Sequence, residues 1–143
     1  MESLKELISQ LNSTDECTNI EAKRASDVGK SIMETVCSFS NEPGLGGGYI
    51  LLGVEKEDNQ KSLFPEYIVT GIPFDKLDEI QTNLASQCSD FFNKPIRPTI
   101  KVEQVDGKNV VIVFVEELSP ENKPLYIKSR GLPQGAYRRV GSA

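Results

Sequence analysis

The chain contains no histidine, and that absence removes Ser-His-Asp and Cys-His catalysis, histidine metal ligation and a histidine general base together. Any catalysis would have to run on carboxylates, lysine or metal. Cysteine is scarce: Cys17, Cys37 and Cys88 stand 20 and 51 positions apart with no C-x-x-C pair, so nothing completes a zinc site and reduced thiols are expected. Cys37 and Cys88 fall on the apolar faces of predicted helices. No run approaches the roughly 20 apolar residues of a membrane span. The amino-terminal MESLKEL lacks the basic and apolar regions of a signal peptide, so a cytoplasmic location and no membrane partner are expected. There is no internal repeat and no low-complexity tract.

What is present suits one domain of 143 residues and 15.8 kDa, with 38% hydrophobic and 26% charged residues. A chain of this size buries roughly two-thirds of its unfolded surface. Sixteen basic against 21 acidic residues leave a formal charge of −5, which counts against nucleic-acid binding. The total hides an asymmetry. Lys123, Lys128, Arg130, Arg138 and Arg139 share residues 122–143 with no acid, so the split is +5 there against −10 in residues 1–121.

Periodicity places the elements. Leu4, Leu7, Ile8 and Leu11 form a helical stripe behind a Ser3/Glu6 capping box. Residues 18–23 alternate as a strand with one wet face, on which Glu21 and Lys23 project together. A helix from about Val28 to Phe39 carries Val28, Ile32, Val36 and Phe39 on one stripe. The loop 44–48 (GLGGG) feeds YILLGV, an apolar run that looks central to a sheet. After a charged turn at 55–61, residues 67–72 read as a strand. Pro73 opens a third helix with Leu77, Ile80, Leu84, Cys88 and Phe91 buried. Asp-Gly in 106–109 between two alternating runs predicts a hairpin. The final segments LYIKS and AYRRV, joined by residues 131–135, read as two short strands. The expected fold class is α+β, a mostly antiparallel or mixed sheet of about six strands packed by two main helices plus an N-terminal helix.

Two phosphate motifs are incomplete. Gly29-Lys30-Ser31 has the setting of a P-loop, but Arg24 occupies the position of its first glycine. Gly44 to Gly48 precedes a strand rather than a helix, leaving no helix amino terminus for a pyrophosphate, so a tight turn is the simpler reading.

Four blocks taken together are more specific: Glu16-x4-Glu21-x-Lys23; Cys37-Ser38-Phe39-Ser40-Asn41; Gly47-Gly48-Tyr49-Ile50-Leu51-Leu52-Gly53-Val54-Glu55; and Tyr137-Arg138-Arg139-Val140-Gly141-Ser142. In this order they resemble the Schlafen-type AlbA-like domain, assigned as DNA-binding at the front of many bacterial transcriptional-regulator-like proteins and formerly labelled a divergent ATPase domain. The resemblance covers about residues 14–142 and divides the chain into an N-terminal helix, 1–13, and the domain proper, 14–143. It implies an α+β fold and nucleic-acid binding. Because the family commonly continues past this last block, further C-terminal domains are expected and the chain reads as a fragment. Two departures are the longer step Glu42-Pro-Gly-Leu-Gly46 and Glu55 where aspartate is common.

The residues support a similar reading on their own. Tyr126, Lys128 and Arg130 lie at strand spacing on one face, as do Tyr137 and Arg139, placing aromatic and cationic groups side by side. Edge strands kept soluble by Lys and Arg would look the same. With Lys23, Arg24, Lys30 and Arg138 added as phosphate contacts, and Tyr126 and Tyr137 as stacking groups, DNA is the expected partner and RNA an allowed one. No cofactor is expected under this reading.

The acids compete with it. In the ribonuclease branch of that family, the acids matching Glu16, Glu21 and Glu55 hold a divalent metal, so a metal-dependent endoribonuclease using Mg²⁺ or Mn²⁺ is the catalytic alternative. Sharing a metal would require a bend near residues 17–19. The favoured reading pairs Glu21 with Lys23 or Arg138 as a salt bridge. A third alternative is an ATP-binding or oligomerising module, with the helix at residues 3–12 as an interface and a homodimer allowed.

Overall fold

The computed structural model describes residues 3–13, 19–27, 30–57 and 66–137. Helix α1 (Leu4–Ser13) is opened by the Glu6 amide donating to the Ser3 hydroxyl at 3.3 Å, the first half of the expected capping box. Strand β1 (Ile20–Lys23), helix α2 (Lys30–Asn41) and strand β2 (Gly48–Leu52) follow. Next come β3 (Val54–Glu57), β4 (Glu66–Val69), helix α3 (Leu77–Asp90), β5 (Thr99–Val105) and β6 (Lys108–Val115). The main sheet has the order β1-β2-β6-β5, parallel between β1 and β2 and antiparallel elsewhere, while β3 and β4 form a separate antiparallel pair. The α+β class with six strands is therefore what the described residues form. None of their helices is long and apolar enough to cross a membrane.

The run YILLGV is continuous rather than alternating because both faces of the main sheet are covered. On one face, Ile50, Leu52, Val111, Val113 and Val115 meet Ile32, Val36 and Phe39 of α2 and Ile80, Leu84 and Cys88 of α3. On the other, Tyr49, Leu51, Val110 and Ile112 meet Leu4, Leu7 and Leu11 of α1. Ile20 and Ala22 of β1 lie on the α1 side, so Glu21 projects to the α2 side, where it is half-buried at the sheet edge rather than fully wet.

Turns follow local chemistry. Asp106 and Gly107, at φ 51° and 77°, join β5 to β6 with Val105 opposite Lys108, the mirror-image two-residue turn that an Asp-Gly pair favours. At Gly53, φ 100°, the chain leaves the main sheet: its amide donates to the Lys23 carbonyl, and its own carbonyl accepts from the Thr70 and Gly71 amides, each at 2.9 Å.

Four expectations need correction. The charged stretch at 55–61 begins as strand, because Glu55, Lys56 and Glu57 pair with Ile68, Tyr67 and Glu66. Pro73 precedes a 3₁₀ turn (Phe74–Lys76) that leads into α3, so the helix proper starts at Leu77. Phe91 is 42% exposed, and Phe92 is buried in its place, since α3 ends at Asp90 and the chain turns by one residue. LYIKS and the described part of AYRRV, Ala136 and Tyr137, do not form a strand ladder, and Arg138, Arg139 and Val140 lie outside the described residues. The two segments make single bridges, Tyr126 to Ala136 and Phe92 to Ile127, amid turns at 128–130 and 132–135. The Tyr126 amide is taken by the Asn93 side chain and the Leu125 amide by Asn41, so these donors are not available to a ladder. The face supposed to align Tyr126, Lys128 and Arg130 by strand spacing is consequently absent.

Phe39 and Gly48 fit each other closely: a Cβ at Gly48 would fall 2.6 Å from the Phe39 ring, which is fully buried. Gly48→Ala should therefore destabilise the domain by about 1–3 kcal/mol, the usual range for overpacking. An unchanged urea-unfolding midpoint would show that the ring has room to move.

Candidate nucleic-acid interface

The segment 125–137 has no strand ladder, so its position depends on side chains from two helix ends. At the end of α2, Asn41 is buried and donates to the carbonyls of Leu125 (2.9 Å) and Tyr137 (2.8 Å), while its carbonyl accepts from the Leu125 amide (2.7 Å). The Cys37 thiol, one turn earlier, donates to the same Leu125 carbonyl at 3.0 Å. Past the end of α3, Asn93 accepts from the Tyr126 amide at 2.8 Å, and the Phe91 carbonyl accepts from the Lys128 amide at 2.9 Å. Burial pushes the Cys37 thiol up to about 12 and Cys88 to about 11, so both are neutral packing groups, and both are free. Cys17 lies outside the described residues.

On this frame the cations are held by carboxylates. Arg130 approaches Glu34 of α2 at 3.5 Å and donates to the Tyr137 hydroxyl, with its guanidinium carbon 5.6 Å from the centre of the Tyr137 ring. Next to Glu34, Thr35 donates to Glu21 of β1 at 2.8 Å, and the other Glu21 oxygen lies 3.5 Å from the Lys23 ammonium. Arg24, 68% exposed, pairs with Glu55 of β3 at 2.8 Å. Lys128 is exposed on its turn, and Tyr126 is half-buried. Lys30 opens α2, but its side chain, together with Glu16, Arg138 and Arg139, lies outside the described residues.

The expected pairing of Glu21 with Lys23 is present, and Arg24 supplies the partner of Glu55. Among the described residues, no group of three or more His, Cys, Asp or Glu could hold a metal ion. Sequence reasoning missed Glu34 and Thr35, which carry no motif. It noted Asn41 within a block but assigned it no role. A polar residue closing an otherwise apolar helical stripe was the available signal.

A family model described as Schlafen, AlbA_2 matches residues 16–143. The chain belongs to that family. It is similar, at 50% identity with a TM-score of 0.83, to the solution NMR structure of the N-terminal domain of a RecG-related protein from Nitrosomonas europaea, covering 100% of this chain and 92% of that one. A protein from Corynebacterium diphtheriae shares the fold at 17% identity and a TM-score of 0.56, with 97% of this chain matching 29% of that chain. A comparison with curated proteins returned no match.

In this Schlafen, AlbA_2 chain the blocks that suggested the family have structural duties. Phe39 packs on Gly48, Asn41 fixes the segment ending in Tyr137, and Gly47, at φ 107°, passes so near the Val115 carbonyl that a Cβ would fall 2.1 Å from its oxygen. The glycine-rich loop already holds an internal anion. Glu117 accepts from the Gly46 amide at 2.8 Å and the Gly44 amide at 3.2 Å, and pairs with Lys123 at 2.7 Å. The Lys123 hydrogen bond, helped by those of the loop amides, lowers the Glu117 carboxyl to about 2.

Two outcomes follow from this geometry. Asn41→Ala leaves the buried Leu125 amide without its partner, strips one donor from the Tyr137 carbonyl and leaves the Leu125 carbonyl only the weak Cys37 thiol, and an unsatisfied buried group costs about 1–3 kcal/mol. A loss of about 2–5 kcal/mol in urea unfolding is expected, and a loss below 1 kcal/mol would mean that the segment is held elsewhere. For Glu117, whose folded value of about 2 lies below its ordinary 4.5, the stabilisation is complete above pH 4.5 and fades as pH falls toward 2. The difference in unfolding midpoint between wild type and Glu117→Gln should therefore close over that window. A gap that stays constant with pH would rule out the carboxylate as its cause.

Proposed function

We propose that this Schlafen, AlbA_2 domain binds nucleic acid, with DNA as the preferred partner, and serves as the DNA-contacting part of a transcriptional regulator. The observation that carries the reading is the convergence of two basic segments on α2, where neighbouring Glu34 and Thr35 contact Arg130 from the carboxyl end and the Glu21–Lys23 pair from β1. Arg24 and Lys128 add exposed charge on the same two segments. Kinship with the N-terminal domain of a protein named for its relation to an ATP-dependent DNA helicase supports the same class of partner.

The chemistry is exchange. An exposed pair such as Arg24–Glu55 is worth about 0–1 kcal/mol, so a phosphate can take that arginine from its carboxylate at small cost, while the partly buried Lys23–Glu21 and Arg130–Glu34 pairs hold their cations more firmly. Arg130 gains most from its surroundings, since the Tyr137 hydroxyl and ring and Glu34 restrict the guanidinium before a ligand arrives. Phosphate contacts of this kind set orientation without reading bases.

With Lys23, Arg24, Lys128 and Arg130 engaged, affinity for duplex DNA should fall with log salt at a slope of roughly −3 to −4. Lys128→Ala should reduce that slope by about one while leaving stability unchanged. Binding that does not respond to salt, or no binding to either DNA or RNA at low salt, would refute the reading.

A further inference from the structure

Strand β5 ends the main sheet in the order β1-β2-β6-β5. Its inner side is set by the hairpin: Val105 stands opposite Lys108 across the two-residue turn, and the pairing then alternates between hydrogen-bonded and non-hydrogen-bonded positions. Gln104 faces Asn109, whose carbonyl is turned away from β5 and accepts from the Ile72 amide at 2.8 Å, so this position is a non-hydrogen-bonded one. By the same alternation the peptide groups of Ile100, Val102 and Gln104 point away from β6. Among the described residues no backbone group meets them there. The strand, TIKVEQV, is rich in β-branched residues and has no proline, and Ile100 and Val102 are only half-buried. On one face Lys101 and Glu103 pair at 3.2 Å, and the Leu4 amide donates to Glu103 at 2.9 Å.

We propose that β5 docks a second copy of this chain, joining two main sheets across a two-fold axis at Val102. Open edges are commonly guarded by lysine or proline, which repel another strand. Here the guarding lysine stands two residues from an acid, and an antiparallel copy reverses their order. The outward peptide groups must meet outward groups, which leaves three central registers. Centred on Lys101, the pairing sets lysine against lysine; centred on Glu103, it sets acid against acid. Centred on Val102, it sets Lys101 against Glu103 twice, at non-hydrogen-bonded positions where opposing side chains come closest. Val102 then bonds its own counterpart, and Ile100 bonds Gln104 of the second copy. The apolar stripe of α1 already covers the sheet, so that helix is not the contact. Strand β1, which carries Lys23, lies at the opposite edge and stays uncovered. The inference goes beyond the nucleic-acid reading and stands without it. One strand pair is a small interface, which fits a dissociation constant of about 10–100 µM.

The test is sedimentation velocity of the 143-residue chain, free of nucleic acid, across that range, with amide hydrogen exchange followed by NMR. The sedimenting mass should rise from monomer to dimer with concentration. Exchange at Ile100, Val102 and Gln104 should slow in step, while Lys101 and Glu103, already bonded to β6, should not change. Lys101→Glu and Glu103→Lys should each weaken self-association about tenfold or more, and an equal mixture of the two should recover it as a heterodimer, because each then meets the opposite charge. Gln104→Pro removes an outward N–H and no bond to β6, so it should fold and stay monomeric. A chain that remains monomeric throughout the range would overturn the proposal. So would a dimer that leaves exchange at the three outward amides unchanged, or one that the mixed charge variants fail to restore while each keeps the wild-type spectrum.

Discussion

The carboxamide of Asn41 does for the carboxyl-terminal segment what a strand ladder does for the rest of the sheet. Residues 125–137 have turns and isolated bridges in place of continuous pairing, so few backbone bonds hold them to the main sheet. Beside the contacts from Asn93 and Phe91, one buried side chain does most of this work: its two N–H groups and its carbonyl bond both polar groups of Leu125 and the carbonyl of Tyr137. A group fully paired in a low-dielectric site is rigid as well as stable, because any movement breaks several bonds together. The position of Arg130, between the two residues that Asn41 holds, depends on that arrangement. So does the contact between Arg130 and Glu34, seven residues earlier on the same helix.

Much of the architecture was legible because periodicity and turn chemistry agreed. The stripe of α1, the central placement of β2 and the Asp106-Gly107 hairpin each rest on short-range rules that tertiary packing did not contradict. The errors have a common origin in the ends of elements. Phe91 and Phe92 differ by one position, and which of them turns inward depends on where α3 stops, which the helical period does not encode. The carboxyl-terminal strands failed for a related reason. Tyr126, Lys128 and Arg130 have the spacing of a strand, but Asn41 and Asn93 take the backbone amides of Leu125 and Tyr126, and the chain turns at 128–130.

The candidate site was legible in its ingredients and not in its wiring. Lys23, Arg24 and Arg130 could be named from residue type and position, and the Glu21–Lys23 pair from alternation along β1. The partners of the other cations could not. Glu34 meets Arg130 across 96 positions of chain and Glu55 meets Arg24 across 31, distances over which no local pattern reports. The glycine-rich loop shows the same limit from the opposite side. Its spare amides resembled a phosphate cradle, and what occupies two of them is Glu117, 71 and 73 residues away.

The wiring also changes what the net charge means. A formal −5 argues against binding a polyanion only if distant acids are felt at the contact. At physiological ionic strength exposed charges are screened over about 8 Å, so an approaching phosphate responds to its immediate neighbours. Among the described residues those neighbours are cations paired with acids: Lys23 with Glu21, Arg24 with Glu55 and Arg130 with Glu34. The exposed Arg24 is held by its carboxylate without being strongly neutralised, and the two partly buried pairs fix their cations at the surface edge. The acids near the basic segments are then better understood as positioning groups than as an electrostatic barrier. Their cost is a weaker long-range attraction, which slows encounter more than it weakens the docked state.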